Sequence, residues 1–337
     1  DDKYAYEAYI FAFDKANDDG KGSGLSYKEI SVTLKVVSTD AKNIIRNEAE
    51  ISEDTDKDGN PIDDRDSDTE EWKKEDSDDN YEDNPNYPKY KEDDEDYDNI
   101  KLATFDLALR KFISKVSMDG KFEDANTTTT YNRAPQVDSS KLKAGTAETA
   151  IYNHSKEPSL INVGDYVLYT IRAYNEGDIA GYASQIIDYL PNYLDFVEST
   201  DSYIKGINDG WTYDSTTRKV TTKADSANAT TKLAAFEAQN DNGKGSGLSY
   251  VDVQIVCKIN NNAPANRKLT NIAEITEYKD EDGNVIAPTT GDRDSEPSNF
   301  PEDIKSEDTR PDYNGGRDSD TTDNYIPGQQ DDDDFEK

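Results

Sequence analysis

The sequence predicts an all-β protein made of tandem immunoglobulin-like β-sandwich domains joined by acidic linkers. Three observations carry this. Two stretches repeat each other at long range. Between the charge runs, apolar and polar residues alternate with the period of a strand. The formal charge of -35, from 38 basic and 73 acidic residues in 337, is concentrated in a few segments rather than spread evenly.

The repeat sets the domain plan. "NDDGKGSGLSYKEISVTLKV" (17–36) matches "NDNGKGSGLSYVDVQIVCKI" (240–259). "NEAEISEDTDKDGN" (47–60) matches "NIAEITEYKDEDGN" (271–284), and "RDSD" (65–68) matches "RDSE" (293–296). The linker endings also agree, "DDEDYDNIK" (93–101) with "DDDDFEK" (331–337). A period this long describes tandem domains, not a solenoid. We divide the chain into the back half of one sandwich (1–62), an acidic linker (63–100), a complete sandwich (101–296) and a second acidic linker (297–337). Composition assigns the linkers, since dense like charge with Pro, Asn and Gly reads as solvated, self-repelling chain. Residues 1–62 lack the counterparts of the first strands and cannot close a sandwich alone. Either an upstream chain or another copy would complete them. The framing reads as a window from a longer repeating polypeptide.

Within the complete repeat each strand has its own signal. "TFDLALRKFISKV" (104–116) puts Phe105, Leu107, Leu109, Lys111 and Ile113 on one face. "DYVLYTIRAYN" (165–175) is rich in strand formers and ends at a turn. "YASQIIDYLPNYLDFV" (182–197) gives two strands split by Leu-Pro-Asn, and "GWTYDSTTRKVTT" (210–222) a hairpin. "GLSYVDVQIVCKI" (247–259) and "LTNIAEITEY" (269–278) follow, the latter running into an Asp-Gly turn. Seven or more strands, with short turns and no long helix, indicate the sandwich.

Composition also excludes function classes. A polyanion repels nucleic acid and anionic membrane. No apolar run reaches the length of a membrane span. The single cysteine, Cys257, lies in phase with Val253 and Ile255 and reads as a small core residue. His154 has no ligand-spaced partner of its own kind. Trp211 reads as core and Trp72 as linker. Phosphate-binding loops, hydrolase triads, zinc spacings and dinucleotide fingerprints are absent, so no enzyme acting on another molecule is expected.

Three polar residues fall on core-facing phases: Lys111, Asp188 in "IIDYLP" and Asn271 in "LTNIAEI". Burying a lone charge costs several kcal/mol, so they need one another. Desolvation lowers a lysine pKa and raises an aspartate pKa. A neutral Lys111 amine is then a nucleophile toward the Asn271 carboxamide, with Asp188 shuttling protons. The product is a Lys–Asn isopeptide bond tying first strand to last. The alternative places Asn271 at a sheet edge with Lys111 snorkelling outward. Lys115, taken as in the same phase, is the reserve nucleophile.

"VGDYVLYTIRAYNEGDIAGYASQIIDYLPNYLDFV", "GWTYD" and "LTNIAEI" resemble the repeat domains of Gram-positive surface and fimbrial proteins. Among these is the isopeptide-forming pilin type, with its DxLP and NxA signatures. The resemblance spans roughly residues 101–278, plus the partial copy. It implies that a first-strand lysine joins a last-strand asparagine beside an acidic residue, here Lys111, Asn271 and Asp188. In the partial copy only Asn47 is present. It further implies an extracellular, cell-surface stalk, fimbria or filament whose partners are neighbouring repeats or other copies.

The acidic hairpins are a separate candidate. "DTDKDGN" opens like a calcium loop through Asp54, Asp56 and Asp58, with Asp66 available to complete a site. The second copy keeps Asp280, Asp282 and Asp294. The twelfth position is Arg65, and helices do not flank the loop, so a plain Asp-Gly hairpin competes with the metal reading. No cofactor is required by the bond chemistry, and Ca²⁺ is the one candidate ion. It underlies the alternative function, an adhesin or ligand-binding module recognising host or cell-surface ligands in a Ca²⁺-dependent way.

Overall fold

The computed structural model describes residues 10–36, 44–51, 53–62, 95–118, 122, 127–286, 292 and 331–337. They fall into two compact units, Asp1–Lys101 and Leu102–Lys337. The chain is all-β.

In the first unit β1 (Ile44–Glu50) pairs antiparallel with β2 (Glu95–Lys101), setting Asn47 opposite Asp98 and Ala49 opposite Asp96. Residues 25–36 form no ladder, and their alternating Leu25, Ile30, Val32 and Leu34 are exposed. In the second unit the equivalent strand is held between two neighbours. Among the described residues of the first unit no such neighbours exist, so the same pattern has nothing to bury against.

The second unit contains the sandwich. β3 (Leu107–Ser117), β4 (Thr128–Thr130), β5 (Gln136–Asp138), α1 (Ser140–Lys143) and β6 (Ile151–Asn153) come first. β7 (Tyr166–Asn175), β8 (Gly181–Tyr189), β9 (Leu194–Phe196), β10 (Trp211–Asp214), β11 (Lys219–Thr222) and α2 (Ala227–Thr230) follow. β12 (Ser249–Ile259), β13 (Asn271–Asp280) and β14 (Asp333–Glu336) complete it. One antiparallel sheet has the order β4-β3-β7-β12-β9 and the other β10-β11-β8-β13-β14. Leu-Pro-Asn separates β8 from β9 as predicted, and the break sends them to different sheets. The inward faces share one core that includes Leu109, Ile113, Ile171, Ile186, Ala273 and Ile275. Cys257 and Trp211 lie in it, and the indole N–H of Trp211 donates to the Gln254 carbonyl at 2.7 Å. β3 is buried on its other face too, where Ala108 packs with Tyr152, Tyr174 and Leu142.

The repeats share local geometry as well as sequence. Asp18 accepts from the backbone N–H groups of Gly20 and Gly24, and Asp241 from those of Gly243 and Gly247. Glycine is required at the closing position. A Cβ on Gly24 would lie 2.6 Å from the Asp14 carbonyl, and one on Gly247 2.5 Å from that of Glu237.

Two segments assigned to linkers by composition are strands. Residues 95–101 form β2, and residues 331–337 enter the sandwich as β14, wholly buried from Asp331 to Glu336. The two pairings are the same pairing. Asn271 faces Glu336 as Asn47 faces Asp98, and Ala273 faces Asp334 as Ala49 faces Asp96. Charge density marks solvated chain only where nothing satisfies the carboxylates. The remaining linker residues, with Trp72, lie outside the described set.

Candidate functional site

β3, β8 and β13 bring Lys111, Asp188 and Asn271 into the core, each at 0% exposure. Alternation on β3 points Lys111 between the sheets with Leu109 and Ile113. Its Nζ donates to Asp188 Oδ2 and stands 5.1 Å from the centre of the Tyr169 ring. Asp188 lies directly opposite Ala273 in the β8–β13 register. Asn271, two residues before Ala273, is on the same face and is a diagonal neighbour of Asp188, within reach across an antiparallel pair.

Among the described residues neither Nδ2 nor Oδ1 of Asn271 has a hydrogen-bond partner, although the side chain is fully buried. Leaving a buried polar group unsatisfied costs about 1–3 kcal/mol, so this carboxamide needs an explanation. Burial pushes the Lys111 amine below the ordinary lysine range, against the opposing pull of the Asp188 carboxylate. Burial also pushes Tyr169 and Cys257 well above their ordinary values, so both neighbours stay neutral. A desolvated amine, a carboxyl touching it and an unsatisfied amide therefore share one dry interior.

The other predicted positions fare differently. Lys115 is out of phase with Lys111, because a bulge between Ile113 and Lys115 resets the alternation and brings Val116 into the core instead. A period-two reading cannot see a bulge. Asn47 is exposed on β1. Asp56 closes its hairpin by accepting from the N–H groups of Asp58 and Asn60, and Asp280 does the same with Asp282 and Asn284. Hydrogen bonds from Asn60 and Asn284, side chain first, lower the pKa of these two aspartates. Asp58 pairs with Lys57, and Asp54 takes part through its backbone carbonyl, which accepts from Ile62 N–H. Asp66 and Asp294 lie outside the described residues. Among the described residues the carboxylates that converge are Asp106, Asp292 and Asp331, whose oxygens lie within 4.8 Å of one another. That grouping, with two buried members, is of the type a hard cation takes. It was invisible in sequence because its members are far apart along the chain.

Sequence reasoning also missed the cations that receive β14. Lys156 Nζ donates to Asp334 Oδ2 and to the Phe335 carbonyl, each at 2.6 Å. Arg133 pairs with Glu336 at 2.6 Å. Arg110, fully buried over the Tyr152 ring, donates to the Asp331 carbonyl at 3.0 Å. The available signal was the recurrence of an acidic segment with one aromatic, "DDEDYD" and "DDDDFE".

No protein-family model and no curated protein sequence matches the chain. Among solved structures it is matched to the major pilin subunit BcpA of Bacillus cereus and to its D312A form. Identity is 13% for the first and 14% for the second, and the TM-score is 0.20 in both cases. Each match covers 57% of this chain and 47% of the pilin. The chain thus corresponds to about half the pilin's length. Among the described residues no helix is long and apolar enough to cross a membrane.

Proposed function

We propose that this chain is a structural segment of a long, repetitive extracellular stalk, fimbria or filament at the cell surface. Its complete repeat is locked by an autocatalytic Lys111–Asn271 isopeptide bond, and its partners are neighbouring repeats and other copies of the protein. The supporting observation is the Asn271 carboxamide, buried without a hydrogen-bond partner beside a lysine–aspartate pair.

The residues supply each step. Lys111 Nζ, neutral through burial, attacks Asn271 Cγ and forms the new C–N bond. Asp188 hydrogen-bonds the developing oxyanion in its protonated form and relays the Nζ proton to Nδ2. The Cγ–Nδ2 bond breaks and ammonia leaves. Bond formation removes the unsatisfied amide nitrogen and the buried amine together, and the reaction needs no cofactor. No substrate outside the chain takes part.

Intact mass tests the proposal. The chain should weigh one ammonia less than its sequence, about 17 Da by the stoichiometry of the reaction. Lys111→Ala should restore the full mass. A full-mass chain unaffected by that substitution would reject the covalent reading.

A further inference from the structure

β3 and β14 lie side by side and run in the same direction. Leu109 N–H donates to the Asp331 carbonyl at 2.7 Å, Lys111 N–H to Asp334 Oδ2 at 2.6 Å and Ile113 N–H to Glu336 Oε2 at 3.2 Å. Residue numbers rise together on the two strands. Among the described residues β4 pairs only with Lys115–Ser117, so the Leu107–Ile113 part of β3 has no ladder partner on that side, and Leu107 N–H donates to Asp292 Oδ2 at 2.9 Å. Its outward N–H groups would be orphans without these oxygens. The acidic strand supplies them largely through carboxylates, because it is the edge strand of the second sheet and meets β3 without extending the β3 ladder. On its other side β14 pairs with β13 from Asn271 to Glu274.

Direction fixes how this contact meets tension. A pull along the chain enters the unit at the start of β3 and leaves it after Lys337, beyond the far end of β14. Two parallel neighbours pulled at opposite ends are sheared, and every cross-link between them is loaded at once. Lys156 strengthens the clamp. Its Nζ bonds both the Lys111 carbonyl, at 3.1 Å, and Asp334. Behind the clamp, 51 residues run from 287 to 337. At about 3.3–3.6 Å per extended residue they span on the order of 170 Å.

We propose that β14 is a force-releasable clamp, so that under tension each repeat first lengthens by freeing this acidic segment while the sandwich core stays folded. The proposal rests on the reading of the chain as a tension-bearing filament segment, but not on the isopeptide bond. The clamp is local, held by a handful of hydrogen bonds and ion pairs. The core behind it is held by the five strands of one sheet and the remaining four of the other. A clamp that gives way first absorbs a sudden load and re-docks when the load falls, because the edges it docks on persist.

Single-molecule pulling on the full chain tests this. One handle is attached through Ala103→Cys, an exposed position ahead of β3, and the other at the C-terminus; Cys257 is buried and does not react. The first event should lengthen the tether by about 170 Å. It should reverse on relaxation and precede any larger event. Lys156→Ala should shorten the lifetime of the clamp at fixed force about tenfold, the effect of losing one charge-assisted hydrogen bond. Asp334→Ala should do the same and serves if Lys156→Ala folds poorly. Asn271→Ala should leave this first event in place while altering the later ones, so failure of the covalent reading is separable from failure of the clamp. A first event that opens the whole unit, or one whose lifetime neither clamp substitution changes, would overturn the proposal.

Discussion

Asn271→Ala separates the covalent and non-covalent readings by sign. On the non-covalent reading it deletes a carboxamide that makes no hydrogen bond. The small void left behind is offset by removing two buried unsatisfied atoms, worth about 1–3 kcal/mol. The Lys111–Asp188 pair is untouched, so stability should hold or rise slightly. On the covalent reading the same change abolishes a cross-link. The closed loop runs from Lys111 to Asn271. The chain-entropy relation for a loop of that size gives about 5 kcal/mol. The unit Leu102–Lys337 has an unfolding entropy of roughly 0.5 kcal/mol/K at the usual value per residue, so the melting temperature should fall by about 10 °C. Calorimetry and intact mass on the same samples read both consequences. The parent should be lighter than its sequence by about 17 Da, and the variant should show no deficit. A parent of full mass, with a variant melting at or above it, would refute the reasoning.

Other expectations follow from the same geometry. Asp188→Ala should also abolish the mass deficit, and loss of the buried amine's hydrogen-bond partner should itself cost about 1–3 kcal/mol in denaturant unfolding. Asn208→Ala removes a bracket in which the side chain donates to the Val197 and Val256 carbonyls and accepts from Val256 N–H. A loss of about 3 kcal/mol is expected in the same assay, with the mass deficit retained. Docking of β14 should weaken as pH rises. Burial, against the pull of Lys156 and Arg133, raises Glu336 from 4.5 to about 7, and burial with Asp333, Asp292 and Glu274 raises Asp332 well above its ordinary value. Besides those cations, Glu336 meets the N–H groups of Ile113 and Lys337, and it feels Asp334 and Tyr169. Groups with raised folded pKa values contribute stability that is full below about 4 and is lost as pH rises to about 7, at most roughly 3 kcal/mol for Glu336. Amide exchange of residues 331–337, corrected for its intrinsic rate, should show protection falling between pH 5 and pH 8; protection that rises would reverse the assignment.

The sandwich was legible because burial on one face leaves a period of two, and β3, β7, β8, β12 and β13 lie where that period put them. The polar triad was legible as interruptions of the pattern. An amine, an acid and an amide at apolar phases are conspicuous without any structure. Lys115 was misread because a bulge changes phase with no residue to announce it. β14 was misread for a deeper reason. Its burial depends on Lys156, Arg133 and Arg110, which lie 178, 203 and 221 residues before their partners in the 331–337 segment. A local reading of "DDDDFEK" sees only repulsion. The recurrence of the segment at 93–101 was the one sequence signal, and only the register of β1 with β2 gave it meaning.

On the covalent reading the clamp and the cross-link would divide the load between them. Lys111 donates a backbone N–H to the clamp and would supply the side-chain amine of the bond, so both would originate at one residue of β3. With the bond in place the chain between Lys111 and Asn271 cannot be drawn out. Only the stretch before Lys111 and the stretch after Asn271 can extend, roughly 260 Å in all at about 3.3–3.6 Å per residue. Most of that is the length freed when β14 lets go. Without the bond the whole unit could be pulled to about 800 Å on the same scale, and releasing β14 would expose an unprotected β3 edge to the load. The acidic strand therefore gains most as a reversible element when the core behind it cannot open. That makes the order of the two events under force, and the ceiling on total extension, a single joint consequence of where Lys111 sits.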